Sequence, residues 1–278
     1  MISALSAAAL QIAGFYNQNG YDLSKTLQRL SSGKKFQTPA DDIGNYMRAK
    51  DLQSQADGYN PILTNLSEWK GAMDIASTAA GEISNTLQRL KELVTLSQQS
   101  TDSNQKDAYQ GEFSQLVNNV DKIVQSTYYE GAYLLNNTAG TTQATVYLNP
   151  DTSLNNTLDI NLPVAVDLAA VTNLQSVNIG STAPNYVNAA QYVADATAGN
   201  NTFIAAASGY TTTLNSLYNI ATTTQTNTLS AVSIISGIDD AAEMVKYTMQ
   251  SVHQQTATAM LAQANLFSQG VLALYHNM

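Results

Sequence analysis

The chain has 278 residues, 44% of them hydrophobic and 8% aromatic, which is enough for a sizeable core and, at ~150 residues per domain, for two units. Only 12% are charged and the net charge is −9, a balance that argues against nucleic-acid binding, which needs a basic face. With no cysteine and two histidines far apart, at His253 and His276, disulfide scaffolds, cysteine nucleophiles and thiolate or histidine-rich metal sites drop out as well.

The first ten residues are apolar but lack the basic lead of a secretory signal, and Ser3 and Ser6 interrupt them. No run reaches the ~18 apolar residues of a membrane span, so the expectation is a soluble chain with no membrane contact and no cleavable signal peptide. Ile2, Leu5, Ala9, Ile12, Tyr16, Leu23 and Leu30 then follow a heptad, with Asn19 and Thr26 as its polar exceptions. Gly14 and Gly20 each weaken this helix by ~1 kcal/mol relative to Ala. Ser31-Ser32-Gly33 stops it, and Thr38-Pro39 marks an extended linker.

A second helix is expected from about Asp41-Asp42. Within it Tyr59, Ile62, Leu66, Trp69, Met73, Ala76, Ala80, Ile83, Leu87, Leu90 and Val94 alternate by 3 and 4 without a miss, a coiled-coil stripe running roughly 50 Å at 1.5 Å per residue. Pro61 is expected to kink this helix or divide it. A turn over 100–104 leads to a third helix running to about Tyr129, with Phe113, Leu116, Val120 and Ile123 on its face. The short connection makes the two an antiparallel hairpin.

From Thr141 the period changes. Residues 145–148 and the alternation Leu158, Ile160, Leu162 read as two strands around the turn Asn149-Pro150-Asp151. Residues 163–184 are mixed. A helical pattern returns over 185–235, interrupted by Gly199 and Gly209, and a last helix carries Ile238, Ala242, Val245, Met249, Val252, Thr256, Ala259, Met260, Ala264, Phe267, Val271 and Leu274. The fold class is mainly α: a long antiparallel coiled-coil bundle with a small β-hairpin region in the middle.

Charge is distributed unevenly. Residues 1–122 hold 13 acids against 11 bases, and residues 123–278 hold 8 acids against a single base, Lys246. No charged side chain precedes Asp22, and after Lys246 only the two histidines can carry charge. An exposed helix on a monomer has a charged face, whereas disordered tails are highly charged and poor in apolar residues. Both ends therefore read as helices that become buried only among other copies of the chain. The candidate assembly residues are Leu5, Ile12, Leu23, Leu27 and Leu30 at the start, with Val245, Met249, Val252, Leu266, Phe267, Val271 and Leu274 at the end.

Chemical motifs are few. Asp41-Asp42 and Asp239-Asp240 read as helix N-termini rather than catalytic carboxylates or metal ligands. Ser32-Gly33-Lys34 lacks the first glycine of a phosphate-binding loop, and no G-x-S-x-G, H-E-x-x-H or EF-hand pattern occurs. N-x-[ST] triplets begin at Asn65, Asn136, Asn155 and Asn200, a chance level for a chain rich in Asn and Thr. No catalytic residue, metal or cofactor is expected.

Leu27-Gln28-Arg29-Leu30-Ser31-Ser32-Gly33 with Ala40-Asp41-Asp42 resembles the N-terminal signature of bacterial flagellin. Met260-Leu261-Ala262-Gln263-Ala264-Asn265, preceded by Ala242-Glu243-Met244, resembles its C-terminal signature. Phe267-Ser268-Gln269 stands where many flagellins have a Pro-Gln pair. The resemblance covers about 1–138 and 230–278. It implies N- and C-terminal helices paired as a coiled coil (1–42 with 236–278), a helical bundle domain (43–138 with 185–235) and a hairpin with surface loops (139–184), without large outer domains. It also implies an exported, non-catalytic subunit of the extracellular flagellar filament, a helical homopolymer used for swimming. Its partners would be further copies, an export chaperone, the filament cap and hook–filament junction proteins. By the same resemblance Arg89, Leu93 and Glu112 match positions contacted by the host's flagellin-sensing Toll-like receptor. The rival readings are a hook–filament junction protein and a filament-borne enzyme, against which the short middle without a zinc motif argues.

Overall fold

The computed structural model describes residues 2–136, 144–151, 156–166 and 168–276, with the side chains of all but residues 2–9, 168, 169, 268 and 271–276. In chain order these form α1 (Ile2–Ser32), α2 (Ile43–Gln99), α3 (Ser103–Ser126), β1 (Tyr128–Tyr129), β2 (Ala132–Tyr133), β3 (Ala144–Tyr147), β4 (Thr157–Ile160), α4 (Leu168–Ser176), α5 (Tyr186–Ser236) and α6 (Asp240–His276). Two compact units result, one from Met1–Ser54 with Asn227–Met278 and one from Gln55–Thr226. The divisions fall inside α2 and α5, not in the turns near 42 and 236 that the sequence offers. A helix shows no break in composition at the point where its neighbours change.

The Gln55–Thr226 unit is built on the α2 stripe. Ile62, Leu66, Met73, Ala76, Ala80, Ile83, Leu87, Leu90 and Val94 are buried, and Tyr59 and Trp69 pack half-buried against them. The same core receives Phe113, Val117, Val120 and Val124 of α3 and Val193, Phe203, Ala207 and Leu214 of α5. The buried face of α3 includes Val117 and Val124, so Leu116 and Ile123, expected on it, sit half-buried at its edge. The α3 start is as expected. Asp102 caps it, accepting from the Asn104 N–H at 2.9 Å.

Four other expectations change. Pro61 lies inside an unbroken α2. Next to the N–H that proline lacks, Gln225 of α5 donates from Nε2 to the Ala56 carbonyl (3.0 Å) and to Asn60 Oδ1 (2.8 Å), tying this turn to α5. The third helix ends at Ser126, because Tyr128–Tyr129 pairs antiparallel with Ala132–Tyr133 across Glu130 (φ 49°) and Gly131 (φ 84°). Two successive positive φ values are the geometry of a tight hairpin turn. Part of 163–184 is the short helix α4. Finally, α5 runs through Gly199 and Gly209 without interruption. A Cβ on Gly199 would stand 3.0 Å from the Ala165 carbonyl oxygen, so this glycine permits a close approach of two chain segments.

The predicted hairpin is present, with Ala144 opposite Ile160 and Val146 opposite Leu158. Val146 and Ile160 point into the core, and Pro150 rests on α2 at Gly58, where a Cβ would lie 2.6 Å from the proline Cβ. Residues 137–143 and 152–155 of the expected surface loops lie outside the described residues.

In the other unit α1 and α6 run antiparallel. Asn19 bonds Gln250 and Gln254, while Arg29, ten residues further along α1, reaches back to Glu243. The segments that follow α1 and precede α6 pair as well. The Lys35 N–H donates to the Ser236 carbonyl (2.7 Å) and the Ile238 N–H to that of Gly33 (3.2 Å), around a bridge between Lys34 and Gly237. Gly33 closes α1 at φ +66°, the left-handed conformation that ends many helices.

Candidate assembly surface

The seam between α1 and α6 mixes polar side chains with apolar ones. On α6 the positions turned toward α1 are Glu243, Tyr247, Gln250, Gln254, Ala257, Leu261 and Ala264, all buried or half-buried and spaced by 4 and 3. On α1 they are Ile12, Asn19, Leu23, Thr26 and Leu30, from the expected heptad with its polar exceptions facing inward, whereas Tyr16 of that heptad is exposed. Asn19 Nδ2 donates to the Gln250 carbonyl (2.7 Å) and to Gln254 Oε1 (2.8 Å). Arg29 Nη1 stands 3.6 Å from Glu243 Oε1, and Lys246 Nζ donates to Oε2 of the same carboxylate at 3.1 Å.

Most of the larger apolar residues of α6 belong to a second stripe that points away. Val245 is 58% exposed, Met249 52%, Val252 55%, Leu266 68% and Phe267 65%. On α1, Leu27 is exposed, as are Leu10, Phe15 and Tyr21. Ile12, Phe15, His253 and Met260 line one open groove along the pair. Of the assembly residues named from the sequence, then, Leu27, Val245, Met249, Val252, Leu266 and Phe267 face outward. Ile12, Leu23 and Leu30 face α6, because their heptad is the intrachain seam. The side chains of Leu5, Val271 and Leu274 lie outside the described ones. Leu10, Phe15, Tyr21, Met244 and Ile234 (77% exposed) were missed. For Leu10, Phe15 and Ile234 the usable signal was their size in stretches without charge, not their phase.

The acidic pairs divide their work. Asp42 caps α2, accepting from the Asn45 N–H at 3.0 Å, and Asp239 caps α6, accepting from the Ala242 N–H at 3.1 Å. Asp41 is not a cap. It pairs with Lys25 Nζ at 2.8 Å and accepts from the Gln37 and Thr38 N–H groups and the Thr38 hydroxyl, so it pins the linker to α1. Lys25, then those two N–H groups, hold its carboxyl below the usual carboxylate range.

In the Gln55–Thr226 unit Arg89 forms a fork with Glu112, Nε to Oε1 at 2.8 Å and Nη2 to Oε2 at 3.2 Å, and Nη1 reaches Glu92 at 3.1 Å. Glu112 is lowered by Arg89, and Arg89 is raised by Glu112 and then Glu92. Both members of the fork are accessible, at 43% and 41% side-chain exposure. Leu93 is not. It is fully buried in the core, one turn beyond Arg89 on the inner face of α2, so the expected surface trio reduces to two surface residues held from below by a third. Among the N-x-[ST] triplets, Asn200 is 1% exposed and donates to the Ala80 carbonyl at 2.8 Å, which removes it as a modification site. Among the described residues no cluster of three metal-ligating side chains occurs, and no helix is long and apolar enough to cross a membrane.

The bacterial flagellin N-terminal helical region matches residues 3–140 and the bacterial flagellin C-terminal helical region matches residues 206–275. The chain is similar to a flagellin of Halalkalibacterium halodurans, 29% identical over 255 residues and 90% of each chain. It is also similar to a flagellin of Listeria innocua, 25% identical over 275 residues, 92% of this chain and 93% of that one. The flagellar filament 33 kDa core protein of Treponema phagedenis is 28% identical over 264 residues, 91% of this chain and 92% of that one. Among solved structures, the crystal structure of Bacillus cereus flagellin aligns at a TM-score of 0.39 and 19% identity, covering 59% of this chain and 88% of that one.

Proposed function

The chain belongs to the bacterial flagellin family, and from that membership we propose that the outward faces of α1 and α6 are the surfaces on which its copies bind one another. The protein is a structural subunit that self-assembles into the flagellar filament. The observation that carries the placement of the assembly faces is the reversed polarity of the helix pair: Glu243, Gln250 and Gln254 turn inward while Val245, Met249, Val252, Leu266 and Phe267 face out. Fully burying one such aliphatic or aromatic side chain is worth ~1.5–3 kcal/mol. Several of them on each subunit, engaged by neighbours on more than one side, add up along a polymer as linked contacts do.

The role that follows is mechanical: the filament transmits motor torque as thrust, and no catalytic step is assigned. We place the assembled subunit outside the cell, with an export chaperone, the filament cap and hook–filament junction proteins as further partners. Arg89 and Glu112 form the accessible part of the proposed receptor contact, and Leu93 supports α2 beneath them.

Polymerisation of the purified chain, followed by sedimentation and electron microscopy, tests the assembly faces. Replacing Val245, Met249 and Val252 together by Ser should raise the critical concentration about tenfold or more, since every 1.4 kcal/mol is a factor of ten, and leave the melting of the Gln55–Thr226 unit unchanged. A triple variant that polymerises at the wild-type concentration would remove these residues from the assembly surface.

A further inference from the structure

We propose that the β1–β2 hairpin, with Glu130 in its turn, docks into a lysine-lined groove at the linker after α1 of a neighbouring copy. Open helical polymers are built from heterologous contacts, in which one patch of a chain meets a different patch of the next copy. Every such patch therefore has its complement elsewhere on the same chain. Charge is divided in a way that supplies one. Met1–Ser54 with Asn227–Met278 holds 7 acids and 7 bases, whereas Gln55–Thr226 holds 14 acids against 5 bases. The basic extreme is the end of α1 with its linker, where Lys25, Arg29, Lys34 and Lys35 lie between Asp22 and Asp41 with no acid among them. The acidic extreme is 123–226, which has no lysine or arginine.

The groove lies wholly within the Met1–Ser54 and Asn227–Met278 unit and measures about 420 Å³. Phe36, Tyr46, Ala49 and Val232 give it an apolar lining, and Lys34 and Lys50 give it charge. Phe36 is buried and meets the Tyr46 ring edge-on, 6.1 Å between centroids. The bridge between Lys34 and Gly237 holds the backbone beside it. Lys25 and Arg29 have carboxylate partners. Lys34 and Lys50 are exposed and, among the described residues, have no ion-pair partner. Such a groove fits a protrusion that is both aromatic and acidic.

The hairpin has that character. Tyr129 anchors it, edge-on to Trp69 at 5.7 Å. Tyr128 and Tyr133 stand opposite each other on the two strands, 6.5 Å between centroids, and both are more than half exposed. The turn between the strands is Glu130-Gly131, with Glu130 exposed at φ 49°. A left-handed first turn position favours Asn, Asp or Gly, so turn chemistry does not account for a glutamate there. Breaks in local preference of this kind are expected where function uses the residue. A carboxylate offered to two ammonium groups, flanked by tyrosine rings that also attract lysine, complements the groove in charge and in polarity.

Carbodiimide joins a carboxylate to an amine in contact with it, and so reads this pairing in filaments co-assembled from nitrogen-15-labelled and unlabelled full-length chains. Mass spectrometry should find Glu130 joined to Lys34 or Lys50 in peptides of mixed isotope, and Glu130→Gln should remove them. Glu130→Lys should raise the critical concentration about tenfold while the Gln55–Thr226 unit melts as before. Adding Lys34→Glu and Lys50→Glu to that chain should return it to within about threefold of the wild type. Glu130 crosslinks confined to single chains, or made to other lysines, would overturn the inference, as would a charge exchange that restores nothing. The inference rests on self-assembly but not on where the outward stripe of α1 and α6 binds. Filaments that lack the crosslink would therefore sink it alone, whereas a chain that forms no filaments would remove both readings.

Discussion

In the Gln55–Thr226 unit, α2 turns Leu66, Met73, Ile83 and Leu90 inward onto α3 and α5 and leaves Arg89, Glu92 and Lys91 in water. In the other unit, α6 turns Glu243, Gln250 and Gln254 onto α1 and leaves Val245, Met249 and Val252 in water. Both helices carry apolar residues at 3 and 4 spacing, so the stripe itself does not distinguish them. What differs is the population of the opposite face. Around the α2 stripe it is charged, which commits that face to solvent. Around the α6 stripe after Lys246 it is Gln, Ser, Thr, Asn and Ala with two histidines, side chains that tolerate either environment. The contrast separates a domain that is complete in one chain from a helix pair whose apolar surface is satisfied by further chains.

The largest effect should come from removing part of the outward stripe outright. Deleting residues 260–278, which takes away Met260, Leu266, Phe267, Val271, Leu272 and Leu274, should abolish filaments in sedimentation and electron microscopy while the Gln55–Thr226 unit melts as before. Normal filaments from the truncated chain would mean that the two units do not divide the labour in this way.

A core substitution should do the converse. Phe203→Ala in α5 empties a fully buried site and should cost about 3–5 kcal/mol in urea unfolding, an effect felt in the free chain before any polymer forms. A loss well below 1 kcal/mol would show that the core of this unit is not packed as described.

The smallest effect on folding is expected at the Arg89–Glu112 fork, because both side chains are more than a third exposed and water screens the pair. Arg89→Ala should scarcely change melting or assembly, yet should weaken activation of the flagellin-sensing receptor by the free subunit more than Gln53→Ala does. Equal responses would leave the fork with a structural role only. Acid provides a second handle on the pair. Since Arg89 lowers the Glu112 carboxyl, the stability it contributes is complete above the ordinary carboxylate range, about pH 4, and is lost as pH falls through the lowered native value. Glu112→Gln should lack that part of the acid response.

The uninterrupted stripe from Tyr59 to Val94, the helix start within 100–104, the strand pair around Asn149-Pro150-Asp151 and the uncharged ends were all legible from residue types. Each depends on local preference or on periodicity, which one chain carries by itself. The flagellin signatures were legible too. Other features depended on contacts between distant segments. Gln225 ties the turn at Pro61 to α5, Lys25 recruits Asp41 from its expected capping role, and the core takes Leu93 inside. The clearest instance is α6, whose sequence holds two heptads, one apolar and one polar, either of which could have faced α1. A 3.6-residue period determines which residues share a face, and the sequence determined both faces of that helix. Only the tertiary structure decided which face met its own chain. Asn19 finds acceptors at Gln250 and Gln254, and an amide with partners in a half-buried seam outweighs an apolar contact that a neighbouring subunit can supply instead.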